Sequence, residues 1–200
     1  MKLKVFLAAA ALVVCSHTIW ADDKPKKEPW AKETAAMEAM MKAGTPGDAH
    51  NRLWSMVGSW DTKVTMWMQP GAPPQVSSGT SENRWVLDGR WLEQRYSGNF
   101  MNMPFNGIGY TGYDNIKKQY MGTWMDNMLT SVMISNGTTS SAANTYEFTS
   151  TVDDPMTGKS APMKEKVTVV DADHHMMEMW GPAPDGTMYK MMQIDYTRKK

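Results

Sequence analysis

The chain has 200 residues, with 21 Lys+Arg against 21 Asp+Glu, so its formal net charge is zero. Nucleic-acid affinity comes mostly from phosphate neutralisation, and a chain with no cationic surplus is excluded from that class. One cysteine, Cys15, excludes an intramolecular disulfide and a thiolate zinc site.

The N-terminus reads as an export signal. Lys2 and Lys4 form a basic n-region, Val5 to Cys15 is an apolar run, and Ile19-Trp20-Ala21 places a small residue at the cut. The run is too short for a membrane helix, which needs about 20 apolar residues. Residues 1–21 are therefore expected to be a signal peptide, with Asp22 the mature N-terminus in the periplasm or outside the cell. Lipidation at Cys15 is the weaker alternative, because bulky Val14 precedes it. Cleavage removes the only thiol, leaving 179 residues, enough for one domain with a real core. No later stretch approaches a membrane span. Twenty-one Met and nine Trp are an unusual load of adaptable, polarisable and aromatic side chains.

Residues 22–29, DDKPKKEP, are charged and contain proline, and read as a disordered tether. An N-terminal helical segment is expected over 30–58. In its first part Pro29 suits a first helical turn and Gly44 the position after the last. Trp30, Thr34, Met37 and Met41 share one face by spacing. TPGD breaks the chain, and AHNRLWSMVG reads as a second short helix with Asp48 as N-cap and Leu53, Met56 and Val57 as its apolar stripe.

The β-domain is expected over 59–200. Ten alternating runs, at 59–68, 79–87, 90–98, 105–113, 118–126, 129–136, 144–152, 163–171, 174–180 and 188–198, alternate with turn signals. These signals are Pro70-Gly71, Asp88-Gly89, Gly98-Asn99, Asn136-Gly137, Asp154-Pro155 and Asp185-Gly186. Ten strands without intervening helices predict an all-β, antiparallel up-and-down barrel. Gly107, Gly109 and Gly112 fall within one strand. They suit bends or close backbone approach better than a phosphate loop, which would open a helix.

TPGDAHNRLWSMVGSW, WVLDGRWLEQRYSG, FNGIGYTGYDNIKKQYMGTWMDNM and PDGTMYKMMQIDYTRKK follow one another in the chain. This ordered set resembles the domain-of-unknown-function 1579 family of exported bacterial proteins, over about residues 37–200. The resemblance implies a lipocalin-like (calycin) barrel and no established activity. It also implies that Arg198 of the last strand packs over Trp60 of the first, a structural cation–π pair at the closed end.

No catalytic motif appears: there is no Gly-x-Ser-x-Gly, His-Glu-x-x-His or Walker loop. No catalytic residue is therefore assigned, although an enzyme using barrel carboxylates remains a reading. Pairing outward from Asp88-Gly89 sets Glu82 opposite Arg95 and Arg84 opposite Glu93. These charges lie at the surface or mouth, or orient a ligand headgroup if they point inward. His50 caps or packs the second helix. Asp114 and Asp126 are expected at turns or strand ends.

The stretch HHMMEMW, 174–180, suggests a soft-metal site, since thioethers and imidazole suit Cu(I). Adjacent strand residues point to opposite faces, so His174 and His175 cannot share one ion. His175 shares its face with Met177 and Met179, and Met191 or Met192 of the last strand would have to add a donor. No metal site is assigned. Nitrobindin-type calycins hold haem through a last-strand His, and 188–198 has none, so no cofactor is assigned.

The leading expectation is non-enzymatic binding of a small apolar or amphipathic molecule inside the barrel. Alternation places Val64 and Met66 inward, with Ile108, Val132, Ile134, Phe148 and Val169 on matching apolar faces. The candidate ligand-binding residues are Glu82, Arg84, Glu93, Arg95, Trp124 and His175. The sequence leaves the oligomeric state open.

Overall fold

A computed structural model describes residues 29–139, 144–155 and 157–200. The expected signal peptide and residues 22–28 of the tether lie outside them. Two units divide between Glu38 and Ala39. In the first, the described residues belong to helix α1, Pro29–Gly44, which runs on into the second.

The second unit begins with the end of α1. Thr45 Oγ1 donates to the Met41 carbonyl (2.7 Å), and Asn115 Nδ2 donates to the carbonyls of Ala43 (3.0 Å) and Thr45 (2.8 Å). Carbonyls that a helix end leaves open thus find donors. Helix α2 follows over Asp48–Asn51, then a 3₁₀ turn over Arg52–Met56. The N-cap is Gly47 rather than Asp48, and the Gly47 N–H donates to His50 Nδ1 (3.1 Å). Buried His50 therefore secures the helix start, and its ring meets Tyr113 edge-on.

Ten strands follow: β1 (Gly58–Met66), β2 (Gln75–Val86), β3 (Trp91–Phe100), β4 (Met103–Asp114), β5 (Gln119–Asp126), β6 (Met133–Thr139), β7 (Thr145–Asp153), β8 (Ser160–Val169), β9 (His174–Pro182) and β10 (Met188–Arg198). Each pairs with its neighbours antiparallel, and β1 pairs with β10 from Trp60↔Arg198 to Met66↔Met192, closing the barrel. Closure leaves no open sheet edge.

Two turn expectations fail. Asn136-Gly137 is not a turn but lies inside β6, paired with Met121 and Tyr120. Its glycine makes room for a neighbour: a Cβ on Gly137 would lie 2.4 Å from Phe148 Cδ1. Gly98-Asn99 likewise lies within β3, and the hairpin turns at Met101 and Asn102, both at positive φ.

Three inward expectations fail too. Ile108 lies between Gly107 and Gly109 on the outward face of β4, while Val132 and Ile134 are about half-exposed beside β6 and within it. The inward positions here are Gly109, Ser135 and their neighbours, too small or polar to read as core.

One end of the barrel is closed by α2 and the 3₁₀ turn. Leu53 and Met56 pack with Leu92, Tyr120, Tyr146 and Phe148. Tyr120 and Tyr146 donate their hydroxyls to the carbonyls of Ala49 (2.8 Å) and Arg52 (3.0 Å). The expected clasp is present: the Arg198 guanidinium lies 4.1 Å above the Trp60 ring. It donates to the carbonyls of Ser55 (3.0 Å), Val57 (2.7 Å) and Ala172 (2.8 Å). Among the described residues, no helix is long and apolar enough to cross a membrane.

Candidate functional site

The barrel encloses a cavity of about 700 Å³. Ligand pockets span roughly 300–1,000 Å³, so a small molecule fits. The period of two decides what lines it. β1 contributes Val64 and Met66, β3 contributes Leu92, Gln94 and Tyr96, and β5 contributes Trp124 and Asp126. β8 contributes Glu165 and Val167, β9 contributes His175, Met177 and Met179, and β10 contributes Met192, Ile194 and Tyr196. A bulge between Lys190 and Met192 brings Met191 to the lumen beside Met192.

The wall around Trp124 is shaped by glycine. A Cβ on Gly107 would lie 2.1 Å from Trp124 Cζ2, and one on Gly109 would lie 2.9 Å from Cε3. The indole thus lies across both backbones, stacked with Phe105 at 6.5 Å, and its Nε1 donates to Asp126 Oδ2 (3.1 Å). Asp126 Oδ1 also accepts the N–H groups of Met128 (2.9 Å) and Leu129 (3.2 Å), which makes it a strand-end residue with its acceptors engaged. Asp114 does the same for Ile116 and Lys117.

Toward the closed end the polar groups form a chain. The Met56 carbonyl accepts from Trp60 Nε1 (3.1 Å) and Asn83 Nδ2 (2.9 Å). Ser81 Oγ donates to Asn83 Oδ1 (2.7 Å), and Gln94 Nε2 donates to Ser81 Oγ (3.1 Å) and to the Tyr196 hydroxyl (3.2 Å). Burial, reinforced by the charge of Glu165 and by Tyr96, holds the Tyr196 phenol well above its ordinary range.

His175 is 5% exposed and packs between two rings. It meets Trp60 edge-on at 4.2 Å and stacks on Tyr196 at 4.1 Å. Burial, with a smaller contribution from Arg198, lowers its pKa to about 3, so the ring is neutral at physiological pH. Among the described residues its buried Nδ1 has no hydrogen-bond partner. His174 points away and pairs with Asp171 (2.9 Å).

Glu165 was not singled out by sequence reasoning. It sits between Lys164 and Lys166, a pattern that reads as a solvated charged strand, yet the pleat turns it into the lumen. Its strand neighbours are Phe148 on β7 and Met179 on β9. Among the described residues no ion pair or hydrogen bond reaches its carboxylate, and burial raises its pKa to about 7.

The other charged candidates occupy the opposite face of the sheet. Glu82 pairs with Arg95 and Arg84 with Glu93, in the register counted from the turn. None of the four lines the cavity. Arg84 and Arg95 cover Glu93 from outside, at 2.9 and 2.8 Å, and the Tyr110 hydroxyl donates to Glu93 at 3.0 Å. Chiefly the Arg95 hydrogen bond, against the burial penalty and with help from Tyr110 and Arg84, holds Glu93 at about 2. Glu82 accepts a hydrogen bond from Ser59 Oγ. Of the six candidates, the structure brings only Trp124 and His175 together in the lumen.

For metals, three thioethers share one row of the ladder: Met66 pairs with Met192, and Met192 with Met179, and all three line the cavity. Among the described residues no group of three or more His, Cys, Asp or Glu side chains could hold an ion.

Fold and cavity together define an antiparallel ten-stranded barrel, capped at one end, with a predominantly apolar lumen. The chain belongs to the family described as protein of unknown function (DUF1579), whose sequence pattern matches residues 45–198. The crystal structure of Rv2717c from M. tuberculosis is similar at 15% identity and a TM-score of 0.58. That match covers 78% of this chain and 100% of the other, and shows the same fold. A redesigned β-barrel matches at 14% identity over 76% of this chain and 96% of its own, with a TM-score of 0.38. No curated protein matches the chain.

Proposed function

We propose that this is an exported, non-enzymatic binding protein that holds one small apolar or amphipathic molecule in its barrel. The observation that carries the reading is the cavity itself: about 700 Å³, walled by methionine, aromatic and aliphatic side chains, with a few polar atoms. A barrel of ten strands whose interior served only as core would fill it with side chains. Methionine lining suits a site that adapts to its occupant. The basic n-region, the short apolar run and Ala21 support export.

Native mass spectrometry of the protein purified from its own host tests both parts. A mature chain beginning at Asp22 and carrying a non-covalent ligand is expected. The Ser77→Trp variant, which adds an indole to the lumen wall, should lose the ligand. Retention of a ligand undiminished by that substitution would place it outside the barrel and refute the reading.

The row of Met66, Met179 and Met192 favours a second reading, capture of a soft ion such as Cu(I). It predicts that Met192→Leu weakens Cu(I) binding in a chelator competition while His175→Ala does not. Equal affinities for wild type and Met192→Leu would end it.

A further inference from the structure

The lumen is charged in one sense only. Among the described residues that line it, Glu165 and Asp126 carry carboxyl groups, and no Lys or Arg reaches it. The two acids differ in what they already hold. Asp126 accepts from the Trp124 indole and two backbone N–H groups. Glu165 accepts from nothing described, and its neighbours on either side are Phe148 and Met179. A half-buried carboxylate set in an apolar wall without a partner is disfavoured, and a ligand that brings the missing cation relieves that penalty. The same wall rejects an anionic headgroup, because it supplies repulsion and no counter-charge.

From this placement we infer that the lumen selects amphipathic amines, with the ligand's ammonium group on Glu165 and its apolar body along Trp124, Phe105 and the methionines. The inference rests on the reading of the lumen as a binding site. Three features beyond charge support it. Glu165 stands five residues from Ser160, where β8 starts at the uncapped end, which is roughly 16 Å along the strand at about 3.3 Å per residue. An alkyl chain anchored there has room to run toward the uncapped end, starting level with Met179 and Met192. Thioethers and aromatic faces line that route, and aromatic faces attract an alkylammonium. An N–H-bearing ammonium also donates charge-assisted hydrogen bonds to a carboxylate, which a neutral headgroup does not match.

The test uses the full-length mature protein and three ten-carbon probes below their micellar range: decylamine, decanol and decanoate. Each competes with a fluorescent apolar dye at pH 8.5. Decylamine is expected to bind about tenfold tighter than decanol, and decanoate more weakly than decanol. In Glu165→Gln the amine advantage over decanol should fall to within about twofold. Should that variant fail to fold, wild type at pH 5.5 serves in its place. Protonation of Glu165, with its pKa of about 7, should erase the amine preference there. The other titratable groups on the lumen are His175, Tyr96, Tyr146, Tyr196 and Asp126, while Lys164 and Lys166 face outward on β8.

Decanol binding without an amine advantage would overturn the inference and leave the binding reading standing. An amine advantage that survives in Glu165→Gln would assign it to another group and likewise overturn it. Failure of all three probes to displace the dye would remove the binding reading and this inference together.

Discussion

Replacing Glu165 by Gln should stabilise the protein, and by an amount that grows with pH. Burial raises the carboxyl from 4.5 to about 7 in the folded chain. A raised acid binds its proton more tightly when folded, so its contribution is fully present below the unfolded value of 4.5. It is lost as pH rises through about 7. Integrating the linkage relation, wild type is penalised by about 1 kcal/mol at pH 5 and about 3 kcal/mol at pH 8. Glutamine keeps the shape and carries no charge, so the gap between the two proteins should widen by about 2–3 kcal/mol across that range. For a chain of this size each kcal/mol moves Tm by about 2–4 °C, so thermal melts should separate by about 5–10 °C more at pH 8 than at pH 5. A Tm difference that is the same at both pH values would show that Glu165 keeps its water or a partner when ionised, and would refute the reasoning.

Three further outcomes follow from other sites. Glu93→Gln should destabilise near neutrality by about 1–2 kcal/mol, discounted because both arginines are half or more exposed. Glu93 is depressed, so its contribution stands above pH 4.5 and fades toward pH 2, and urea midpoints of variant and wild type should converge as pH falls through that window. Arg198→Lys should lower stability by about 2–3 kcal/mol in urea, because an ammonium cannot reproduce a planar fork that bonds three carbonyls while covering Trp60. Gly107→Ala should cost about 1–3 kcal/mol and shift the tryptophan emission, since its Cβ would fall 2.1 Å from the Trp124 ring; an unchanged spectrum and Tm would show that the indole is not held there.

The ten strands were legible because they alternate and because no helix interrupts them, and the parity of the histidine doublet followed from the pleat alone. His175 lines the lumen and His174 does not, as a period of two demands. The hairpin register of 82 with 95 and 84 with 93 followed from one turn signal. Facing was harder. The pattern around Glu93 carries charge on one side and mixed residues on the other, and an acid buried on the barrel's exterior beneath two arginines has no signature in a single strand. Turn chemistry misled where glycine served a side chain instead of a turn. Gly137 clears Phe148, while the hairpin that Gly98-Asn99 was expected to mark turns at Met101-Asn102, and Met101 has no preference for positive φ. Glu165 was hidden for a third reason: two lysines flank it, and alternation sends them out only because it goes in.

The lumen's polar groups fall into two kinds, and the difference separates structure from function. Ser81, Asn83, Gln94 and Tyr196 satisfy one another and tie the floor to the Met56 carbonyl. His175 leaves Nδ1 unpartnered, yet its ring fills the space between Trp60 and Tyr196 under the Arg198 clasp. Packing explains that residue, and a metal that used it would have to part a three-ring stack that closes the barrel. Glu165 has no such account. Among the described residues it clasps nothing, and an apolar or amide side chain in its place would be more stable at neutral pH. A residue that lowers stability and holds nothing in the folded chain is where function, rather than folding, explains the choice. The acid in the wall, more than the histidine that first draws the eye, is therefore the position at which the ligand's chemistry should be sought.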